Sequence, residues 1–520
     1  MNKIIKVVIL CLAVFAVACD DTYDNHYKAD PAIVSENNLW TTIEAIPELS
    51  KFTEILKNYG YDKILSQSQA YTIFAPVNTV LSTLDTINMD VKKELIENHI
   101  ARFIIPVPGN SNSIVSTLNK KRINLFRQGN NYYFGSAAFA LPVKSVIASN
   151  GIVHVLNNYD TFFPNIYEYL AKDSRLDSIK NFFYSFEELI FDPYSSVPGS
   201  IVNGQQTYLD SIFVPYNVLT RDFGYIERED STYIMIVPDN TAWNEAYNRI
   251  KSDFVYYNKS AAIADSMQRR GTTRAIIRNL TFNMNQQDSP KDSLVSTWSD
   301  KPNTFYNPQY LFEGTEPVSA SNGMIYITSQ LKLKGWESWQ PLLWVEAEYT
   351  YKRENTLSTP ITVSVVNDLA SLISNGRYLK LDPTTSTGNP TVTFEIPNTL
   401  SSYYDIYCVF VTEKVLRPSA TGLKPCKVYF NLSYLNNSGN TIIDRFPASG
   451  DIQTDPNIID TVLVASNFKF PVANYGESKD NGEQLTTVTL KVLSNVARTE
   501  TTNFSRQLLL DCILLDPKKQ

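Results

Sequence analysis

The residue types that carry most enzyme chemistry are scarce in this sequence and poorly spaced for it. Three histidines occur in 520 residues, His26, His99 and His154, which excludes a multi-histidine metal site by count. The sequence has no His-Glu-x-x-His, no Walker-type glycine loop and no paired Cys-x-x-Cys. A Ser-His-Asp triad would have to use His99 or His154, because His26 falls in a polar stretch near the N-terminus. His154 follows a turn in an alternating, strand-like run, where a structural role is the ordinary one. His99 stays open between a structural hydrogen-bonding residue and a contact for partners. Glycoside hydrolysis needs two carboxyl groups ~5–9 Å apart; with 53 acids some such pair is inevitable, so the count decides nothing. These residues predict no cofactor, no metal and no catalysis.

Aromatic residues offer a different chemistry. Trp336, Trp339 and Trp344 cluster with Tyr349 and Tyr351. Such faces stack on sugar rings, with hydroxyls reaching nearby amides, and they serve equally well to seal a contact between domains. Glu346 and Glu348 share one face of the same strand. Cys408, Cys426 and Cys512 sit in strand-like runs and read as small buried hydrophobes, with a Cys408–Cys426 bridge as the alternative.

The N-terminus sets an address. Lys3 and Lys6 precede an unbroken apolar run from Val7 to Ala18. That run is too short to cross ~30 Å of hydrocarbon and suits a signal peptide. It ends Ala16-Val17-Ala18-Cys19. Small residues before a cysteine resemble the lipobox of bacterial lipoproteins, which implies cleavage after Ala18 and lipidation of Cys19. Asp20, Asp21 and Asp24 follow, resembling the acidic surface-export signal of Bacteroidota lipoproteins. The expected location is the outer membrane, lipid-anchored and exposed at the cell surface.

Bulk composition agrees with a folded chain. Apolar residues make up 43% and charged residues 19%, enough to bury several cores. The formal net charge of −7 lacks the basic footprint that nucleic-acid binding needs.

An internal repeat organises the first two thirds. Tyr71 to Thr79 reads YTIFAPVNT, and Tyr233 to Thr241 reads YIMIVPDNT. Each predicts a strand stopped by proline, then a helix cap. Downstream, ASNGIVHV (148–155) matches ASNGMIYI (320–327), a tight Asn-Gly turn followed by a strand. The stretches TIFAPVNTVL and SNGIVHVLN resemble the two signature segments of fasciclin domains. Asn98-His99-Ile100 resembles the family's tyrosine-histidine block, with Asn98 where tyrosine is usual. The second copy has Asn279-Leu280-Thr281 there and no histidine. The resemblance spans about residues 35–335 and implies a wedge-shaped β-sandwich flanked by helices. Independently, Leu39, Ile43, Leu49, Phe52 and Leu56 recur at amphipathic-helix spacing, interrupted by Pro47. Residues 192–211 read as a polar loop or hairpin inserted in the second copy.

From about Trp344 the helical pattern fades. Seven strand-like runs separated by Asn/Gly/Pro/Ser turns predict an all-β, jelly-roll-like sandwich. The expected fold class is α+β. The expected divisions are a signal peptide (1–18), an acidic tether (19–34), fasciclin-like domains at 35–163 and 164–335, and a C-terminal β-sandwich at 336–520.

The leading functional expectation is a non-catalytic cell-surface lipoprotein that binds a ligand. It would be an accessory component of a starch-utilisation-like outer-membrane uptake system for glycan or peptide. Its partners would be the outer-membrane transporter and its lid lipoprotein, with a glycan or protein ligand at His99, Trp336, Trp339 or Trp344. The alternative is fasciclin-type cell adhesion. A third reading, a hydrolase in the C-terminal domain, requires two facing carboxylates in a cleft.

Overall fold

The computed structural model describes residues 33–82, 89–107, 112–141, 145–193, 196–284, 293–299, 302–350, 353–474 and 487–518. Cys19, His26, the expected signal peptide and most of the expected tether lie outside these. The chain forms two compact units. One holds the described residues up to Asn165 with Glu227–Ser231 and Ala320–Asn322; the other holds Ile166–Ile226, Thr232–Ser319 and Gly323–Gln520.

The first unit is built on two adjacent parallel strands. Tyr71–Pro76 and Gly151–Leu156 are buried at every position, as strands covered on both faces must be. They pair with Tyr71 opposite Gly151. Ile100–Arg102 and Ser145–Ala148 flank them antiparallel, and Ile33–Val34 closes the edge. Asn38 caps the Leu39–Glu44 helix by accepting from the Thr41 amide at 2.9 Å. Pro47 opens a 3-10 turn, and Ser50–Asn58 continues as helix. Leu39, Ile43, Leu49, Phe52 and Leu56 from this stretch are fully buried in one core. A four-stranded antiparallel sheet, Ser113–Ser116 through Ala137–Ala138, covers the other side around Phe74, Phe134 and Phe139.

The Asn-Gly pair does more than turn the chain. Asn150 Oδ1 accepts from the Leu39 amide at 2.5 Å, and its Nδ2 donates to the Leu65 carbonyl at 3.0 Å. A Cβ at Gly151 would stand 2.2 Å from the Tyr71 carbonyl oxygen. Also within this unit, Lys121 Nζ meets Glu229 Oε1 at 2.5 Å, with both side chains nearly inaccessible. Ser321 Oγ donates to the same carboxylate at 2.9 Å.

The second unit repeats the central arrangement. Tyr233–Pro238 runs parallel to Gly323–Thr328 with Tyr233 opposite Gly323. Thr281–Asn283 is antiparallel on one side, and Glu316–Ala320 lies on the other. The order of these four strands matches that of their counterparts in the first copy, as does the register of the parallel pair. Residues 192–211, predicted as a polar loop or hairpin, hold a hairpin of Val197–Val202 and Gln205–Asp210, and the flanking Glu187–Phe191 and Phe213–Asn217 pair as a second ribbon.

The remainder is a two-sheet sandwich, so the chain is α+β as expected. One antiparallel sheet orders Ser358–Ser364, Arg377–Pro383, Leu508–Pro517, Tyr403–Phe410 and Asp460–Lys469, with Leu343–Glu346 also paired to Leu508–Pro517. The facing sheet orders Arg353–Thr356, Thr391–Glu395, Thr489–Ser494, Lys427–Leu435 and Thr441–Phe446, with Ile452–Gln453 beside Lys427–Leu435. Leu381, Phe394, Ile406, Phe430, Leu490 and Ile513 fill the space between. Backbone bonds join this sandwich to the preceding repeat. The Ser401 amide donates to the Asp253 carbonyl at 2.9 Å, and the Ala473 amide to that of Val255 at 2.6 Å.

Candidate functional site

The three tryptophans predicted together have separate fates. Trp339 is buried: its indole N–H donates to Asp253 Oδ2 at 3.0 Å, and the Arg249 guanidinium lies 5.8 Å from its ring centre. It packs where repeat and sandwich join. Trp336 is half-buried in a short 3-10 turn, with Lys334 Nζ 5.8 Å from its ring. Trp344 alone of the three is exposed, at 48%.

Strand alternation turns Trp344 outward. Leu343 and Val345 pack on the sandwich core, so Trp344 and Glu346 point away from it. The same argument applies to the neighbours. Ile513 and Leu515 face the core, leaving Leu514 outward; Ile406 and Cys408 face in, leaving Tyr407 outward; Val462 and Val464 face in, leaving Leu463 outward. Register then aligns these residues. Trp344 sits opposite Leu514, Leu514 opposite Tyr407, and Tyr407 opposite Leu463. The result is an apolar and aromatic row across four adjacent strands, about 14 Å long from the usual strand spacing.

Polar groups border the row. Asp405 lies one outward position from Tyr407. It accepts from Ser466 Oγ at 3.0 Å, from the Asn467 amide at 2.7 Å and from Lys518 Nζ. Burial raises the Asp405 carboxyl, but the Lys518 ammonium and these donors outweigh it and hold the group below the usual range. Lys469 Nζ stands 5.1 Å from the Tyr403 ring.

On the other border three acids gather. Glu346 Oε1 accepts from Ser374 Oγ at 2.6 Å and Asn375 Nδ2 at 2.9 Å, and the Asp511 carboxylate takes the Ser374 amide at 3.1 Å. Glu348 is 5% exposed, and neither of its carboxylate oxygens has a hydrogen-bond partner. Burial pushes Asp511 up to about 6, reinforced by the charges of Glu346 and Glu348. Burial raises Glu348 as well. Two hollows of about 250 and 320 Å³ adjoin Glu413, Gln507 and Leu509, and the acid trio lines neither. Among the described residues, no group of three or more His, Cys, Asp or Glu is placed to hold a metal ion.

Both described histidines are wholly buried and engaged. His99 Nε2 accepts from the Asp160 amide at 3.0 Å, so Nδ1 carries the proton and donates to the Leu95 carbonyl at 2.8 Å. Burial lowers its pKa and keeps the ring neutral. It ties a helix end to the loop after the central strand. His154 donates from Nε2 to the Ile105 carbonyl and accepts at Nδ1 from Ser145 Oγ, each at 2.8 Å. The group behind this Ser–His pair is a carbonyl, so a triad's carboxylate is missing from the position that would orient the ring. Cys408, Cys426 and Cys512 are free and buried. Tyr407, Leu514, Leu463 and Asp511 escaped the sequence reading. Alternation marks each as outward, but no local signal aligns strands so distant in sequence.

Residues 47–159 match the Fasciclin domain family. A curated relative, the Protein E2 homolog of Fowlpox virus (strain NVSL), is 33% identical over 86 residues, 16% of this chain and 12% of that protein. The chain thus matches only about an eighth of that relative's length. Among solved structures, a FAS1 domain pair from the insect cell adhesion molecule Fasciclin I aligns over 56% of this chain and 98% of its own, at 14% identity and a TM-score of 0.22. The CBM22-1 xylan-binding domain from Paenibacillus barcinonensis aligns over 34% and 94%, at 11% identity and a TM-score of 0.22. Scores this low carry no argument about fold or ligand. What stands is a Fasciclin domain in the first unit and, in the second, a repeat of its central strand pattern joined to a two-sheet sandwich.

Proposed function

We propose that this chain is a non-catalytic, lipid-anchored surface protein that presents the outer face of its sandwich to a glycan. On this reading the chain comprises two fasciclin-like domains, 35–163 and 164–335, ahead of the sandwich and is anchored by a lipid on Cys19. The setting is an accessory role beside a starch-utilisation-like outer-membrane transporter and its lid lipoprotein. The observation that carries the reading is the row Trp344–Leu514–Tyr407–Leu463, with two aromatic residues among polar borders. Aromatic faces stack on the apolar faces of sugar rings while bordering carboxylates and amides take up hydroxyls. The acid trio is engaged in the fold: Glu348 is buried, and Glu346 and Asp511 are held by Ser374.

Two measurements test this reading. On a glycan array followed by calorimetry, Trp344→Ala is expected to weaken binding at least tenfold while the melting temperature holds, because the side chain is half exposed. Binding that survives both Trp344→Ala and Tyr407→Ala would sink the platform. Pull-down of the lipidated protein from gently solubilised outer membranes tests the setting: stoichiometric recovery of a transporter pair supports it, and recovery of the protein alone removes the stable-subunit role. A second reading, cell adhesion, draws on the Fasciclin domain at 47–159. Cell aggregation that depends on the first unit and not on Trp344 would favour it.

A further inference from the structure

The inserted ribbons are a second, separate surface. Their base is fixed: Tyr167 Oη donates to Glu187 Oε1 at 2.8 Å, and Asn217 Nδ2 donates to the Phe183 carbonyl at 2.7 Å. Tyr184 stacks on Tyr167 at 4.7 Å. Ser196, itself buried, joins the two ribbons by donating to the Asp192 carbonyl at 2.7 Å and accepting from the Ile212 amide at 2.9 Å. Phe191 packs edge-on against Tyr208 and Phe213. Beyond this anchorage the insertion exposes apolar side chains. Leu189, Ile201, Val202, Leu209 and Phe213 are each more than half exposed, and Leu209 reaches 81%. Scattered exposed apolar residues need no explanation, but a concentration on one short insertion marks an interaction surface. Every strand in it has a single strand neighbour among the described residues. Open edges of this kind accept an added strand.

Charge selects the occupant. Residues 186–218 contain Glu187, Glu188, Asp192 and Asp210 and no Lys, Arg or His. A second copy of the insertion would bring acid against acid, and an anionic membrane surface would repel it. We infer that the insertion docks an extended protein segment that alternates apolar side chains with Lys or Arg, added as a strand to a ribbon edge. Backbone bonds then supply affinity, an apolar side chain covers Leu189 or Leu209 according to the ribbon edge used, and on the first ribbon a cation meets Glu188.

The test uses the purified full chain and a labelled ten-residue peptide alternating valine and lysine, read by fluorescence anisotropy. The expected result is saturable binding, at least tenfold weaker for a valine–glutamate counterpart and for a peptide with the same valines and lysines in two blocks. Leu189→Ser with Leu209→Ser is expected to weaken binding at least tenfold with unchanged thermal unfolding, since both side chains are exposed. Glu188→Lys is expected to reduce the preference for the cationic peptide and leaves the apolar surface intact. Equal binding of the alternating and blocked peptides, or no binding, would overturn the inference. So would concentration-dependent self-association abolished by Leu209→Ser, or binding to zwitterionic lipid vesicles at the same surface.

Discussion

Burial pushes the His154 imidazole down to about 4, outweighing the pull of the Ile105 carbonyl. An unfolded chain takes up that proton near 6.5, whereas the folded first unit resists it until about 4. The contribution is therefore complete above pH 6.5 and lost as pH falls toward 4, on the order of 3 kcal/mol. His154→Gln should flatten the acid side of the stability profile, measured by denaturant titration at each pH; an unchanged slope would refute the assignment. Asp511 behaves oppositely. Burial raises its folded pKa to about 6, above the unfolded carboxylate value, so the folded sandwich gains stability as pH falls through 6. Asp511→Asn should remove that gain, read by hydrogen exchange in the Leu508–Pro517 strand. The free thiols add nothing to either titration near neutral pH, because burial raises all three.

At the scale of elements, the two Asn-Gly pairs do the same job in both repeats. A Cβ at Gly323 would come 1.9 Å from the Tyr233 carbonyl oxygen, and Gly323 also adopts a positive φ of 146°. At Gly151 the φ is ordinary, and the Tyr71 carbonyl oxygen, with the buried Leu39 side chain 2.9 Å away, leaves no room for a side chain. Gly151→Ala and Gly323→Ala should each cost about 3 kcal/mol, as overpacking against fixed backbone does. Chemical denaturation of each variant checks this, and a loss below about 1 kcal/mol would mean the parallel strand pair can spread. The turn was legible from Asn-Gly, but the contact was not, because a parallel partner about eighty residues away leaves no local mark. In the sandwich, strongly alternating runs such as Thr391–Glu395 and Lys427–Leu435 were legible as strands. Arg353–Thr356 and Thr441–Phe446 were not: on these edge strands no position is fully buried, so runs such as Arg-Glu-Asn-Thr need no apolar alternation.

For the whole molecule, the second repeat and the sandwich belong to one compact unit. Ser401 and Ala473 exchange backbone bonds with residues 253–255, and Trp339 is buried against Asp253 and Arg249. Differential scanning calorimetry of the full chain should resolve two transitions, one per compact unit. A third, independent sandwich transition would show that this seam is not cooperative. Trp339→Ala should split the second transition.

Sequence alone carried the α+β class, the internal repeat of strand motifs and, for the first copy, the fasciclin resemblance now matched at 47–159. Each depends on local pattern or on counting, which a linear chain carries directly. Tertiary structure decided which aromatic faces solvent. Trp336, Trp339 and Trp344 lie within nine residues, yet one is half-buried in a turn, one is sealed against a neighbouring repeat and one stands on an open sheet. Tyr407, Leu514 and Leu463 join Trp344 only through cross-strand register, and register is set by pairing between distant segments. The insertion was read as polar, and only the structure shows that Leu189 and Leu209 stand exposed on its ribbons.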